Sequence, residues 1–382
     1  MGVPAKARHR AGTLACAALV GLALTACSGD GGGGGRGDGD ARYVTSPVGT
    51  GWGVGAAGVD RDGTVVLTGQ NRALTIPPGD SSDTEAGEAF EAPSELSSDD
   101  DPRGVSVDKS RTAWVLVGSA LVPVRAKDGE LYPTWRSLVA IGERNPGTVI
   151  PGAEPRLART TTAVAVLDDT TVVVASRPDL GSTRARANVT VHTLDAEGHG
   201  KLLAGRAWTG SPDRPRPAAE LPPGENVRAT DVDLDEVVAL QPLADGHLMI
   251  VTAVPTETSH GRLTFFHCDG TNLRRMETPE AFVGVGSPAV SSSLTAGGRV
   301  VVNVSTSSGD QPAPAALSLD PKNDASSVIE RSAATLGGYG TLLVADADGD
   351  ELLAVTPPGL DPDDDDNDVN VRITSTPAPG GN

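Results

Sequence analysis

Residues 55–67 read GAAGVDRDGTVVL. Apolar runs flank Asp62-Gly63, and the second run, Thr64-Val65-Val66-Leu67, is rich in side chains branched at Cβ. Such side chains suit pleated, extended backbone, and Asp-Gly supplies the positive φ of a tight hairpin turn. The stretch predicts two antiparallel strands. The same pattern recurs in residues 105–117 around Lys109-Ser110, 163–175 around Asp168-Asp169, and 237–252 around Asp245-Gly246. It returns in 288–304 around Gly297-Gly298 and in 341–355 around Asp348-Gly349.

A second hairpin follows most of these. It is clearest in 121–132 around Asp128-Gly129, 189–203 around Glu197-Gly198 and 262–276 around Asp269-Gly270. Residues 315–329 around Asn323-Asp324 are a weaker copy, and 72–76 begin the first one. Two successive hairpins make a four-stranded antiparallel sheet. The first-hairpin turns, near 62, 110, 169, 246, 297 and 349, are 48, 59, 77, 51 and 52 positions apart. Four-stranded units at about 40–50 residues are the signature of a β-propeller. Strands such as Thr171-Val172-Val173-Val174 are apolar on both faces, so each sheet must be stacked between two others, and a ring leaves no end uncovered. The expectation is an all-β, six-bladed β-propeller of four-stranded antiparallel blades over residues 41–378, with a disordered tail at 379–382.

The last unit runs short. After 341–355 only 369–375 reads as a strand, whereas 42–46 (RYVTS) belongs to no hairpin. The N-terminal strand is therefore expected to close the last blade.

Composition agrees with this reading. Hydrophobic residues are 38% and aromatics 3%, so a core must be built from Val, Leu and Ala, and 47 Gly with 29 Pro imply many turns. A long helical bundle is excluded.

Ahead of the repeats, Lys6, Arg8 and Arg10 precede an uncharged run at 11–23, the n- and h-regions of a secretory signal. About a dozen apolar residues are too few to span a bilayer core of roughly 30 Å. Leu24-Thr25-Ala26-Cys27 resembles the lipobox of bacterial lipoproteins, and the few lysines amid abundant Ala, Gly and Val resemble actinobacterial proteins. The resemblance implies cleavage after 1–26, acyl chains on Cys27, and a cell-membrane location on the extracytoplasmic face. A plain secretory signal with an incidental Cys is the alternative. Residues 28–40, SGDGGGGGRGDGD, then form with Cys27 a tether (27–40) that spans roughly 20 Å as a flexible coil.

The segment 1–26 carries three basic and no acidic residues, so the remaining chain sets 28 basic against 50 acidic side chains, a net −22. Phosphate backbones and anionic headgroups are repelled by such a surface, which excludes nucleic acid as a partner. Membrane attachment falls to the lipid on Cys27, and the body is expected to be a monomer.

Residues 193–205, TLDAEGHGKLLAG, followed by a Pro/Arg/Ala segment and Glu220-Leu-Pro-Pro, resemble an NHL-repeat junction. There a strand pair ends in Leu-Ala-Gly and Leu-x-x-Pro leads into the next unit. Residues 58–66 are similar to that family's opening strand pair, while its Tyr-Val-Ala-Asp stretch is missing. Insertions separate the units: 80–101, 138–155, the Pro/Arg-rich 207–226, and the acidic 361–368, DPDDDDND.

Chemistry is sparse. Asp346, Asp348 and Asp350 bracket Gly349 and suggest a Ca²⁺ loop, but position twelve is Pro357 where an EF-hand needs Glu. Asp231, Asp233 and Asp235 share one face if extended; turn-stabilising Asp is the alternative for both sets. Cys16 leaves with the signal, so Cys268 is without a disulfide partner. His192, His199, His247, His260 and His267 form no metal-type pair at helical spacing, and no Gly-x-Ser-x-Gly elbow exists. Trp114 suits the core, and Trp52 a loop. The reading is a binding or interaction platform for an unknown protein or small molecule; a propeller enzyme of hydrolase, lactonase or quinone-dependent dehydrogenase type is the alternative.

Overall fold

The computed structural model describes residues 42–45, 54–69, 72–79, 87–88, 102–117, 120–123, 159–168, 170–178, 189–195, 200–206, 216–254, 260–279, 283–286, 289–305, 316–329, 342–356 and 370–378. Strand β1 (Arg42–Thr45) comes first. The sheet after it holds β2 (Val54–Val59), β3 (Val65–Gly69), β4 (Arg72–Ile76) and β5 (Gly87–Glu88) in that spatial order. Next are β6 (Pro102–Val107), β7 (Ala113–Val117) and β8 (Ala120–Pro123). A third sheet orders β9 (Arg159–Asp168), β10 (Thr171–Pro178), β11 (Thr190–Leu194) and β12 (Gly200–Ala204).

A short parallel pair, β13 (Arg216–Pro217) with β15 (Val232–Asp233), flanks β14 (Asn226–Arg228). The fourth sheet follows with β16 (Glu236–Pro242), β17 (Leu248–Val254), β18 (His260–Cys268) and β19 (Asn272–Arg275). Here β14 pairs with β19, and β20 (Val283–Gly286) pairs with β18. The fifth sheet holds β21 (Ala289–Leu294), β22 (Val300–Ser305), β23 (Leu317–Asp320) and β24 (Ala325–Val328). The last holds β25 (Leu342–Ala345), β26 (Glu351–Thr356) and β27 (Asn370–Pro377), with β1 at its outer edge.

First strands of successive sheets approach one another in a cycle, β2 to β6 to β9 to β16 to β21 to β25 and back to β2. That closed cycle of antiparallel sheets is a β-propeller. The blade count differs from expectation. Five sheets, not six, reach four or more strands among the described residues; the sheet of β6–β8 has three, because most of the hairpin expected at 121–132 lies outside them.

The core lies between blades. Adjacent residues of a strand face opposite ways, and on β18 Phe266 packs in the cluster shared with β9–β12 while Phe265 packs in the one shared with β21–β23. Val44, Leu67, Leu74, Val344, Val355 and Val371 fill the seam between the first and last blades. Gly58 allows β2 and β6 to touch, since a Cβ there would meet Val105 Cγ1 at 2.6 Å.

The segment read as a Pro/Arg-rich insertion, 207–226, is in part core. Its Ala218 and Leu221, with Ala229, Val232 and Leu234 just beyond it, are buried with the third and fourth blades, and buried Arg275 donates from Nη1 to the carbonyls of Ala219, at 3.0 Å, and Leu221. Leu-Ala-Gly ends β12 with Gly205 at φ 81°, where a Cβ would lie 2.3 Å from the Val189 carbonyl oxygen.

Candidate metal centre

Polar groups of the inner strands bind neighbouring blades. Ser106 Oγ accepts the Val166 amide at 3.1 Å. Ser292 Oγ donates to Gln241 Oε1 at 2.9 Å, and Ser293 Oγ accepts the Ala345 amide at 3.0 Å. One strand out, Asn303 takes both groups of Leu343, donating to its carbonyl at 2.7 Å and accepting its amide at 2.8 Å. Arg111 bonds carbonyls of two other blades, those of Leu294 and Asp346. Strand β21 also comes within 8 Å, Cα to Cα, of β2 and β6. Near the axis these groups act as ties between blades.

The Ca²⁺ candidates behave as turn residues. Asp346 Oδ1 accepts the Gly349 amide at 2.6 Å and the Glu351 amide at 3.2 Å, closing a turn in which Gly349 has φ 79°. Asp348 and Asp350 are exposed. Asp231 ends a single 3-10 turn, Ala229–Asp231, and so shares no extended face with Asp233 and Asp235.

A different group comes together on the fourth blade. Between β16 and β17, the Leu243 amide donates to the His247 carbonyl at 2.9 Å and the Gly246 amide to the Leu243 carbonyl at 3.0 Å. Gly246, at φ 80°, makes this turn possible. Across the hairpin, β17 and β18 pair with Leu248 opposite Cys268 and Met249 opposite His267. Continuing that register makes His247 and His267 diagonal neighbours on one face. Their rings meet edge-on with centroids 4.9 Å apart, and His247 Nδ1 lies 3.0 Å from His267 Nε2.

Asp245 completes the group. Its Oδ2 is 3.0 Å from His247 Nδ1, while its Oδ1 accepts the His247 amide at 3.1 Å. The three ligand-type atoms all lie within 4.8 Å of one another. Burial, then His247 and Arg274, holds the His267 imidazole below its ordinary pKa, against the pull of Asp245 and Asp269. Asp269, next along, is held at about 2, chiefly by the Asn272 amide.

Cys268 faces the other way, into the core, and burial raises its thiol pKa. Trp114 is buried as expected, its Nε1 donating to Asp108 Oδ2 at 3.0 Å. Leu24, Thr25, Ala26, Cys27, Trp52, His199, residues 138–155, 361–368 and 379–382 lie outside the described residues. Among those described, no helix is long and apolar enough to cross a membrane.

No known family profile matches the chain, and neither does any curated protein. Solved structures do. An α-L-arabinofuranosidase from Fusarium graminearum is 12% identical over 88% of this chain and 98% of its own, with a TM-score of 0.43. An α-L-arabinanase from Penicillium chrysogenum is 10% identical with the same coverage and a TM-score of 0.46. Regucalcin from Agrobacterium tumefaciens, a calcium-binding protein, is 12% identical over 88% and 97%, at 0.40. Likeness of this degree says nothing of activity.

Proposed function

We propose that this chain is an exported lipoprotein, cut before Cys27 and acylated there, whose propeller serves as a binding platform outside the cell. The observation that carries the platform reading is that, among the described residues, Arg111 reaches across to Leu294 and Asp346, and Ser106, Ser292 and Ser293 of the inner strands are committed to neighbouring blades. A propeller enzyme works with polar groups that converge on an open centre. Here recognition falls to the outer surface, which at a net −22 beyond residue 26 favours a neutral or basic partner.

The same reading makes β6–β8 the inner part of a sixth blade, which fits its place in the cycle of first strands. One acyl chain gives only marginal attachment, so stable anchoring needs the multiple acylation that a lipobox implies.

Two experiments test it. In Cys27→Ala the body is expected in the medium or unprocessed; a cleaved form still bound to membranes overturns the anchor. Crosslinking on intact cells is expected to join the chain to one abundant surface protein. A chain that remains uncrosslinked there overturns the platform.

A further inference from the structure

We infer that Asp245, His247 and His267 form a binding site for one divalent late first-row metal ion of the Zn²⁺ or Cu²⁺ class. This stands apart from the platform reading and from the Ca²⁺ loop considered at Asp346.

Geometry carries the inference. Bonds of about 2.0–2.1 Å to imidazole and carboxylate put two ligand atoms roughly 3.3 Å apart across a tetrahedral angle and about 2.9 Å apart at a right angle. The two measured separations, carboxylate to His247 and His247 to His267, are both 3.0 Å. His267 Nε2 and Asp245 Oδ2 lie within 4.8 Å, so the three atoms form one small face.

Donor chemistry selects the ion. Ca²⁺ takes six to eight oxygens, whereas two imidazoles and one carboxylate suit Zn²⁺, Ni²⁺ and Cu²⁺. Three protein ligands leave a coordination position for water or an outside group, and Asp245, half exposed, gives access.

The supporting contacts point the same way. The His247 amide holds Asp245 Oδ1, which turns Oδ2 toward the rings. Arg274 lies beside His267, and its charge is met by Asp324 at 3.0 Å while Nη2 donates to the Pro321 carbonyl at 2.8 Å. A cation satisfies both lone pairs and the carboxylate at once.

The test is calorimetric titration of the untagged full chain in detergent with ZnCl₂, together with the visible spectrum after Co²⁺ addition. The wild type is expected to bind one equivalent and to show d–d bands. His267→Gln and Asp245→Asn are expected to weaken Zn²⁺ binding about tenfold or more and to abolish the bands. Denaturant midpoints in EDTA check each fold; if His267→Gln fails, exposed Asp245→Asn decides. No saturable binding by the wild type, or equal affinity in the variants, overturns the site.

Discussion

Arg111 Nη1 donates to the carbonyl oxygen of Leu294 at 3.0 Å, joining residues 183 positions apart. Its Nη2 donates to the Asp346 carbonyl in a third blade. The backbone of Arg111 takes φ 63°, an uncommon value for a side-chain-bearing residue, while its own carbonyl accepts the Arg61 amide at 2.7 Å. One residue thus touches four blades' worth of chain: its own, that of Arg61, and those of Leu294 and Asp346. Burial lowers the guanidinium pKa, opposed by Asp346 and Asp348.

Removing this tie should destabilise the ring. Arg111→Met leaves two carbonyls without their charged donor, and the expected loss is about 2–3 kcal/mol. Arg111→Gly loses the same bonds but relaxes the left-handed backbone, so it should be roughly 1 kcal/mol more stable than Arg111→Ala. Urea midpoints at constant m-value measure both differences. Equal midpoints for Gly and Ala would remove the backbone part of the argument.

Strand β1 forms the outer edge of the last blade, pairing with β27. Arg42 lies opposite Ile373 and Val44 opposite Val371, and the Val44 side chain is fully buried in the seam between the first and last blades. Val44→Ala should cost about 2 kcal/mol. Deleting residues 41–47 removes the whole outer strand and should lower the melting temperature further. An unchanged melting temperature after that deletion would show that the last blade holds without β1.

Turn positions were the most legible feature. Gly63, Gly246, Gly298 and Gly349 have φ between 77° and 85°, at the turns that Asp-Gly and Gly-Gly announced. That chemistry is local. At Lys109-Ser110 the left-handed residue is the next one, Arg111, and nothing nearby reveals that its side chain has distant partners. The metal-type pair was hidden for a related reason: His247 and His267 are 20 positions apart and meet only through the β17–β18 register. A search for histidines flanking the two hairpin turns, near 245–246 and 269–270, of one blade could have found them. Ala218 and Leu221 have no strand or helix period, so their burial was masked by the prolines around them.

Between the second and third blades, Lys109 Nζ sits 2.7 Å from Asp168 Oδ2. Burial raises the Asp168 pKa, but Lys109 and Thr170 outweigh it and hold the carboxyl below its ordinary value. A depressed folded pKa stabilises the protein above the unfolded value of about 3.9 and ceases to do so as pH falls through the folded one. Lys109 is largely exposed, so the contribution at neutral pH should be under about 1 kcal/mol and smaller in high salt. Midpoints of wild type and Asp168→Asn should therefore converge on acidification below about pH 3.9. A gap that persists in acid would assign the effect to something other than the ion pair.

Asn303 makes the sharpest test of blade-to-blade bonding. It is 2% exposed on β22, and its amide meets both the N–H and the C=O of Leu343, as a neighbouring strand would. That reciprocity fixes which amide atom points where, since only the nitrogen donates. Asn303→Leu keeps the approximate volume but leaves two buried backbone groups unpaired, which should cost about 2–4 kcal/mol. Asn303→Asp is expected to be worse at neutral pH, because a buried carboxylate would then face the Leu343 carbonyl. Its deficit should shrink on acidification, when the protonated acid can donate again. If Asp and Leu variants are equally stable at neutral pH, the side chain is not the bridge between the fifth and last blades.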